Sequence, residues 1–139
     1  MQDILTRYLR EEAMQEIITG NMRETKDSGG TWAALERIEA YLASSPIVLF
    51  MKGSPDFPQC GFSARVVNAL RECRSAFTHV DVLEDPELRL TLKEYSNWPT
   101  IPQLYVEGEL VGGCDIVMDM HRSGDLSRMV KQAGAVLTE

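Results

Sequence analysis

One cysteine, Cys60, lies just after an apolar run, Ile47 to Met51, that predicts a buried strand, and just before a predicted helix. Pro55 and Pro58 stand between the two elements and prevent the strand from continuing. At a helix N-terminus the unpaired backbone N–H groups and the helix dipole favour negative charge, and Lys52 adds a cation from the strand end. The spacing therefore predicts a thiolate that acts either as a nucleophile or as a metal ligand.

The other cysteines do not form a recognisable set with Cys60. Three cysteines at wide spacing predict neither a disulfide framework nor a four-ligand zinc site. Cys73 stands near a helix end and is interpreted as a small buried apolar side chain. His79 falls inside a predicted strand and His121 late in a predicted helix, so we expect an ordinary structural or surface role for both.

Composition limits the classes of function. The chain has 139 residues, 44% of them hydrophobic, which is enough for one compact domain with a single core. A net charge of -7 argues against a nucleic-acid partner, because duplex binding needs a basic surface. The longest apolar run has only the length of a strand, and no signal-like segment opens the sequence, so we expect a soluble, cytoplasmic protein without a membrane partner.

Two regions are predicted along the chain. Residues 1–30 read as an N-terminal helical extension, with a helix over Asp3 to Ile18, followed by a polar linker that ends in Gly29-Gly30. Residues 31–139 form the main domain, which opens with a helix whose apolar stripe contains Trp32, Leu35, Ile38 and Leu42.

Strands and helices then alternate. The predicted elements are a strand over Ile47 to Met51, a helix over Phe62 to Arg74, a strand over Phe77 to Leu83, a helix from Asp85-Pro86, a hairpin over Gln103 to Val111, and a final helical region interrupted near Ser123-Gly124. A βαβ unit followed by helix, hairpin and helix predicts a four-stranded mixed sheet covered by helices, which is an α/β architecture of thioredoxin-like order.

Three motifs in this order identify a resemblance. Cys60-Gly61-Phe62-Ser63, Trp98 to Tyr105 with Thr100-Ile101-Pro102, and Gly112-Gly113-Cys114-Asp115 closely resemble the monothiol glutaredoxins of the Cys-Gly-Phe-Ser class. The resemblance covers about Trp32 to Ala133. Dithiol relatives carry a second cysteine where this chain has Ser63, so Cys60 is left with glutathione chemistry or metal ligation.

The resemblance implies a glutathione site. Lys52 and Arg89 would pair with the glycyl carboxylate, and Ile101, joined to Pro102 by a cis bond, would form the groove wall. The backbone of Cys114 and the side chain of Asp115 would hold the γ-glutamyl end. Several of these residues also have an interpretation without a ligand. Arg89 would be a solvated surface charge, Lys52 a charge that prevents strand pairing at a sheet edge, and Asp115 a helix cap. The Cys114 sulfur would be either inert or the partner of Cys60 in a disulfide formed under oxidation.

The resemblance also implies a function. Members of this class bind one [2Fe–2S] cluster between two protomers, with the cysteine of each protomer and one glutathione thiol on each as ligands. The leading hypothesis is thus a cluster carrier, a cluster-bridged homodimer that serves apo iron–sulfur acceptor proteins and has a BolA-like protein as partner. The alternative is an enzyme that reduces protein–glutathione mixed disulfides through Cys60. Cluster binding is favoured because the insertion Ser54 to Pro58 resembles the feature that separates this class from efficient reductases.

Overall fold

The structure, a computed structural model, describes residues 30–137. The predicted helix over Asp3 to Ile18 and the predicted linker, apart from its last residue Gly30, lie outside these residues. In chain order the elements are α1 (Thr31–Ser44), β1 (Ile47–Met51), α2 (Gly61–Glu72), β2 (Thr78–Asp81), a 3-10 turn (Val82–Glu84), α3 (Pro86–Ser96), β3 (Gln103–Val106), β4 (Glu109–Gly112), α4 (Cys114–Ser123) and α5 (Asp125–Gln132).

The four strands form one mixed sheet in the order β2-β1-β3-β4. β1 pairs in parallel with β2, and β3 pairs antiparallel with β4, as the sequence predicted. β1 and β3 are also antiparallel neighbours. Glu107 and Gly108 have φ angles of 51° and 83°, which is the left-handed backbone of a tight hairpin turn. The expected thioredoxin-like architecture is therefore confirmed.

Side chains of β1 alternate between two helical layers, because successive residues of a strand point to opposite faces of the sheet. Ile47, Leu49 and Met51 pack in the core cluster that contains α2, α4 and α5 residues. Val48 and Phe50 pack in the second cluster, with α1 and α3 residues. All five β1 residues are buried, so helices cover both faces of the sheet and β1 lies in the centre of the fold.

The predicted strand over Phe77 to Leu83 was too long. It ends at Asp81, and the chain turns at once into the 3-10 turn. The Asp81 carboxylate accepts a hydrogen bond from the Leu83 N–H at 3.0 Å, which offers the backbone a local alternative to continuing the ladder. Helix α2 also ends at Glu72, two residues earlier than expected, and Arg74 beyond it has a φ of 58°.

No helix within residues 30–137 is long and apolar enough to cross a membrane.

Candidate functional site

The loop between β1 and α2 is closed on itself and anchored to the sheet. The Gln59 N–H donates to the Lys52 carbonyl at 2.9 Å, and Gly53 forms an isolated bridge with Pro58. The Gly53 N–H donates to the Asp81 carboxylate at 2.9 Å. These bonds fix the path of the chain from the end of the central strand to Cys60.

Cys60 is the N-cap of α2, with extended backbone and no side chain capping the helix. Burial raises the pKa of its thiol, but the backbone N–H groups of Ser63 and Phe62, the Lys52 charge and the Ser63 hydroxyl lower it more, so the pKa lies below its ordinary value. The thiol is partly exposed. It therefore has both the charge preference and the access that a nucleophile or a metal ligand needs.

Ser63 occupies the position of the second cysteine in dithiol relatives, and its side chain is fully buried. Its hydroxyl oxygen accepts a hydrogen bond from the Lys52 backbone N–H at 3.1 Å. Ser63 thus supports the thiolate and ties the start of α2 to the end of β1, while its hydroxyl cannot take part in thiol–disulfide exchange.

A cavity of about 480 Å³ opens beside Cys60. It brings together residues from the end of β1, from α2 and α3, from the segment before β3, and from the start of α4. All of the predicted site residues line it: Lys52, Cys60, Arg89, Ile101, Cys114 and Asp115.

The charges of this cavity contrast with the acidic chain around it. Lys52, Arg89 and Lys93 contribute three cations, and Asp115 contributes a carboxylate on the α4 side. Lys93 was not among the predicted site residues. It stands four residues after Arg89, so helical spacing alone places both side chains on the same face of α3, and this signal could have identified it.

The apolar wall of the cavity is formed by the segment before β3. The Ile101–Pro102 bond is cis, as expected, and Ile101 is only 6% exposed. The fully buried Gln103 amide donates to the carbonyl oxygens of Trp98 and Thr100 at 3.1 and 3.3 Å. Gln103, which sequence reasoning also missed as a supporting residue, therefore holds the wall segment in position.

The start of α4 also lines the cavity, through Gly113, Cys114, Asp115 and Ile116. Gly113 is the N-cap, and no side chain caps the helix. A side chain at Gly113 would approach the Trp98 ring nitrogen to 3.2 Å and the Pro102 carbonyl to 3.3 Å, so the glycine allows α4 to begin close to the wall. Because the first residues of α4 line the cavity, the unpaired N–H groups and the dipole of this helix end favour an anion there.

Cys114 differs from Cys60 although both line the cavity. Burial raises the pKa of the Cys114 thiol; Arg65 lowers it, and Asp115 and Cys60 raise it further, with a net increase. All three cysteines lie within the described residues and none is in a disulfide. A Cys60–Cys114 disulfide under oxidation stays a prediction.

Comparisons with known proteins agree with this geometry. The family model for Glutaredoxin matches residues 47–111. Glutaredoxin 4 of Escherichia coli is 52% identical over 101 residues, which cover 73% of this chain and 88% of that protein. Monothiol glutaredoxin-S11 of Oryza sativa is 52% identical over 97 residues, or 70% of this chain and 20% of that much longer protein.

Two solved structures support the same assignment. The solution structure of reduced apo GrxS14 from poplar has a TM-score of 0.64 and 48% identity, and the match covers 71% of this chain and 91% of that one. The buckwheat glutaredoxin–glutathione complex has a TM-score of 0.69 and 25% identity, with 77% and 96% covered. The identity and coverage of these relatives, together with Ser63 in place of a second cysteine, show that the chain belongs to the glutaredoxin family, as a monothiol member of the Cys-Gly-Phe-Ser class.

Proposed function

We propose that this chain binds glutathione in the cavity beside Cys60 and, with Cys60 and the glutathione thiol as ligands, carries a [2Fe–2S] cluster between two protomers and delivers it to acceptor proteins. The observation that carries the proposal is a cysteine with a lowered thiol pKa at the edge of a cationic cavity, with a serine where a resolving thiol would stand. Because Ser63 cannot act as a resolving thiol, a glutathione thiol is the proposed second thiol for either ligation or exchange.

The cavity suits glutathione at both of its ends. The tripeptide carries a carboxylate at its glycyl end, which Lys52 and Arg89 can bind by charge-assisted hydrogen bonds. Its γ-glutamyl end carries a carboxylate and an ammonium group, which suit the backbone N–H groups at the start of α4 and the Asp115 side chain. Ile101 then lies alongside the middle of the peptide. This orientation puts the glutathione sulfur next to Cys60.

The donor set is consistent with a shared cluster. Iron–sulfur clusters are held by four thiolates, and no group of three or more metal-ligating side chains occurs within residues 30–137. One cysteine and one glutathione from each of two protomers would supply four. Phe62, 56% exposed, and Ile116, 38% exposed, lie at the cavity and provide apolar surface for such an interface.

The partners follow from the family resemblance. A homodimer bridged by the cluster, a BolA-like protein that replaces one protomer, and apo iron–sulfur acceptor proteins are all part of the proposal. Exchangeable glutathione ligands would leave the cluster labile, which suits transfer. A cytoplasmic location also belongs to the proposal.

A reductase of protein–glutathione mixed disulfides is the second candidate, and the lowered pKa of Cys60 favours it. In this reaction the Cys60 thiolate attacks the glutathione sulfur, and the protein thiol leaves as a thiolate that takes up a proton. A second glutathione thiolate then attacks the Cys60 mixed disulfide, which releases glutathione disulfide and restores Cys60. The same cavity would serve both reactions.

Anaerobic reconstitution with iron, sulfide and glutathione, followed by visible absorption, tests the leading proposal. Cys60→Ser is expected to lose the cluster spectrum, because an alcohol is a poor ligand for iron beside thiolates. Cys73→Ser and Cys114→Ser are the matched controls and are expected to retain it. Full cluster absorption in Cys60→Ser would contradict the ligand assignment.

Glutathione and dimerisation provide an independent check. Omission of glutathione is expected to prevent assembly, and size-exclusion chromatography is expected to show an apo-monomer and a cluster-bound dimer. A stable cluster-bound monomer would contradict the shared ligand set. If no cluster forms but the chain turns over a glutathionylated peptide, the reductase is the better description.

A further inference from the structure

A second cysteine, Cys73, lies at the opposite end of α2 from Cys60. Cys60 is the N-cap of this helix and Cys73 is its C-cap, so the helix dipole acts on the two thiols with opposite sign. Cys73 is half-buried and packs against the core cluster beneath α2 and α4. It is not among the residues that line the glutathione cavity.

Cys73 faces a histidine that the sequence places 48 residues away. The Cys73 Sγ lies 3.8 Å from His121 Nδ1, and His121 Nε2 lies 2.6 Å from a carboxylate oxygen of Glu72. An ionised carboxylate can only accept a hydrogen bond, so Nε2 carries the imidazole proton. In the neutral ring Nδ1 is then a lone-pair acceptor, directed at the thiol.

The resting form of this thiol is protonated. Burial raises the pKa of Cys73, and the negative charge of Glu72 raises it further. Unlike Cys60, Cys73 is therefore not already ionised, and it needs a base to accept its proton before it can react as a thiolate. His121 Nδ1 is placed for that role, and Glu72 fixes the ring in the tautomer that allows it.

Hydrogen bonds fix the segment that follows Cys73, while His121 and Glu72 are partly open to solvent. The chain after Cys73 pairs with the segment after α5 through the Ala76 N–H to the Ala135 carbonyl and the Leu137 N–H to the Arg74 carbonyl, both at 2.7 Å. The His121 side chain is 25% exposed and that of Glu72 is 68% exposed. Cys73 itself is only partly buried, so part of its surface is open to solvent.

From this geometry we propose that Cys73, with His121 as its general base and Glu72 orienting the imidazole, is a second reactive thiol that undergoes reversible S-thiolation by small disulfides such as glutathione disulfide. Within residues 30–137, which include these three side chains, no group of three or more His, Cys, Asp or Glu side chains has an arrangement that could hold a metal ion. The order of thiol, imidazole and carboxylate is that of a nucleophile, a base and an orienting group.

The exchange is balanced without a further oxidant. His121 Nδ1 accepts the thiol proton as the Cys73 sulfur attacks one sulfur of the disulfide. The disulfide bond breaks, a Cys73–glutathione mixed disulfide forms, and the second glutathione leaves as a thiolate that takes the proton from His121. One disulfide is consumed and one is formed. Excess thiol reverses the reaction by the same path.

The test uses the full-length chain with Cys60→Ser and Cys114→Ser, so that Cys73 is the remaining thiol. Glutathione disulfide is the probe, and intact-mass spectrometry follows the rate of single glutathionyl addition and its reversal by dithiothreitol. The folded protein is expected to react faster than the same protein unfolded in urea. His121→Gln is expected to slow the reaction of the folded protein by about tenfold or more, since it removes the base.

Two further variants separate base catalysis from simple access. His121→Ala opens space beside Cys73 and also removes the base, so it is expected to be slow, as His121→Gln is. His79→Gln, at an exposed histidine of β2, is the matched control and is expected to keep the parent rate. The proposal is overturned if His121→Ala reacts as fast as the parent, or if folded Cys73 reacts no faster than unfolded Cys73.

Discussion

Three cysteines in one small domain have three different environments, and the environment decides what each thiol can do. Cys60 stands at a helix N-terminus, partly exposed, with a lowered thiol pKa. Burial raises the pKa of Cys114 in the same cavity, and the pKa of Cys73 at a helix C-terminus is also raised. Only Cys60 combines a lowered thiol pKa with access, which is why it is the proposed cluster ligand, whereas Cys73 needs His121 as a base before it can react.

Lys52→Gln is expected to raise the pKa of the Cys60 thiol, because Lys52 favours the thiolate electrostatically. The pH dependence of alkylation by iodoacetamide, with adducts assigned to Cys60 by peptide mass mapping, measures this. The midpoint for the parent should lie below that of urea-unfolded protein, and the midpoint for Lys52→Gln should lie above that of the parent. Lys131→Gln, on α5, serves as the control and should leave the midpoint where it is.

Arg89→Ala is expected to weaken glutathione binding by about 1–3 kcal/mol, which is the usual worth of a hydrogen bond to a charged group. Calorimetric titration with glutathione measures this effect. Arg128→Ala removes an exposed arginine from α5 and is the matched control. Equal affinities for the two variants would return Arg89 to the role of a solvated surface charge.

At the scale of elements, the site depends on the loop that links β1 to α2 and on the position of α3. Gly53 has a φ of 90°, and a side chain there would come within 2.6 Å of the Phe57 carbonyl. Asp85 caps α3, which carries Arg89 and Lys93 to the cavity, and also pairs with Arg37 of α1. Hydrogen bonds within the chain, in the loop and between α1 and α3, therefore position these residues at the cavity.

Gly53→Ala is expected to lower the free energy of unfolding by about 1–3 kcal/mol or more, because left-handed backbone strain and a backbone clash act together. Urea denaturation measures this. Gly108 has a φ of 83° but open space around it. Gly108→Ala should therefore lower the free energy of unfolding only by the backbone strain, about 1–2 kcal/mol. Gly61→Ala, which has no neighbour within 4 Å, should be close to neutral. Equal effects at Gly53 and Gly108 would mean that the loop relaxes around the clash.

Asp85→Ala is expected to destabilise the fold by about 1–2 kcal/mol, since it removes both the bond accepted from the Leu88 N–H at 3.1 Å and the ion pair with Arg37 at 2.8 Å. Asp85→Asn keeps a capping oxygen and should cost less than about 1 kcal/mol. Thermal unfolding distinguishes the two variants. Glu87→Gln is the control and is expected to have little effect, because Glu87 lies 4.0 Å from Arg37. If Asp85→Asn and Asp85→Ala lose similar stability, the stabilisation comes from the ion pair and not from the cap.

At the scale of the molecule, an acidic chain with a net charge of -7 presents a cavity with three cations. Within residues 30–137, two core clusters lie on either side of the sheet, and α1 contributes Leu35, Ile38 and Leu42 to one of them. The described residues thus form both clusters, and the boundary between residues 1–30 and 31–139 stays a prediction.

A truncated protein that begins at Thr31 is expected to fold, bind glutathione and assemble the cluster with the same stoichiometry as the full-length chain. The reason is that every residue proposed to contact glutathione or iron lies after Thr31. Iron and sulfide analysis with size-exclusion chromatography provides the measurement. Loss of the cluster, or a different assembly, would place residues 1–30 inside the functional unit and move the domain boundary.

The six residues of the candidate site were implied by the resemblance of three motifs to a known family. The amino-acid sequence by itself determined the element order over residues 30–137, the buried central strand and the position of Cys60 at a helix start. These features depend on local signals, namely apolar periodicity, prolines, glycines and short motifs, which act over a few residues. The β2 boundary was wrong because the Asp81 side chain competes with the strand ladder for the Leu83 N–H.

Only the tertiary structure decided which distant residues meet. Packing of α4 against α2 sets the 3.8 Å approach of Cys73 to His121, and the close start of α4 at Gly113 depends on where Trp98 and Pro102 lie. The structural use of the Ser63 hydroxyl depends on the Lys52 N–H, eleven residues earlier. Such contacts result from three-dimensional packing of the whole core, for which no short stretch of sequence carries a signal.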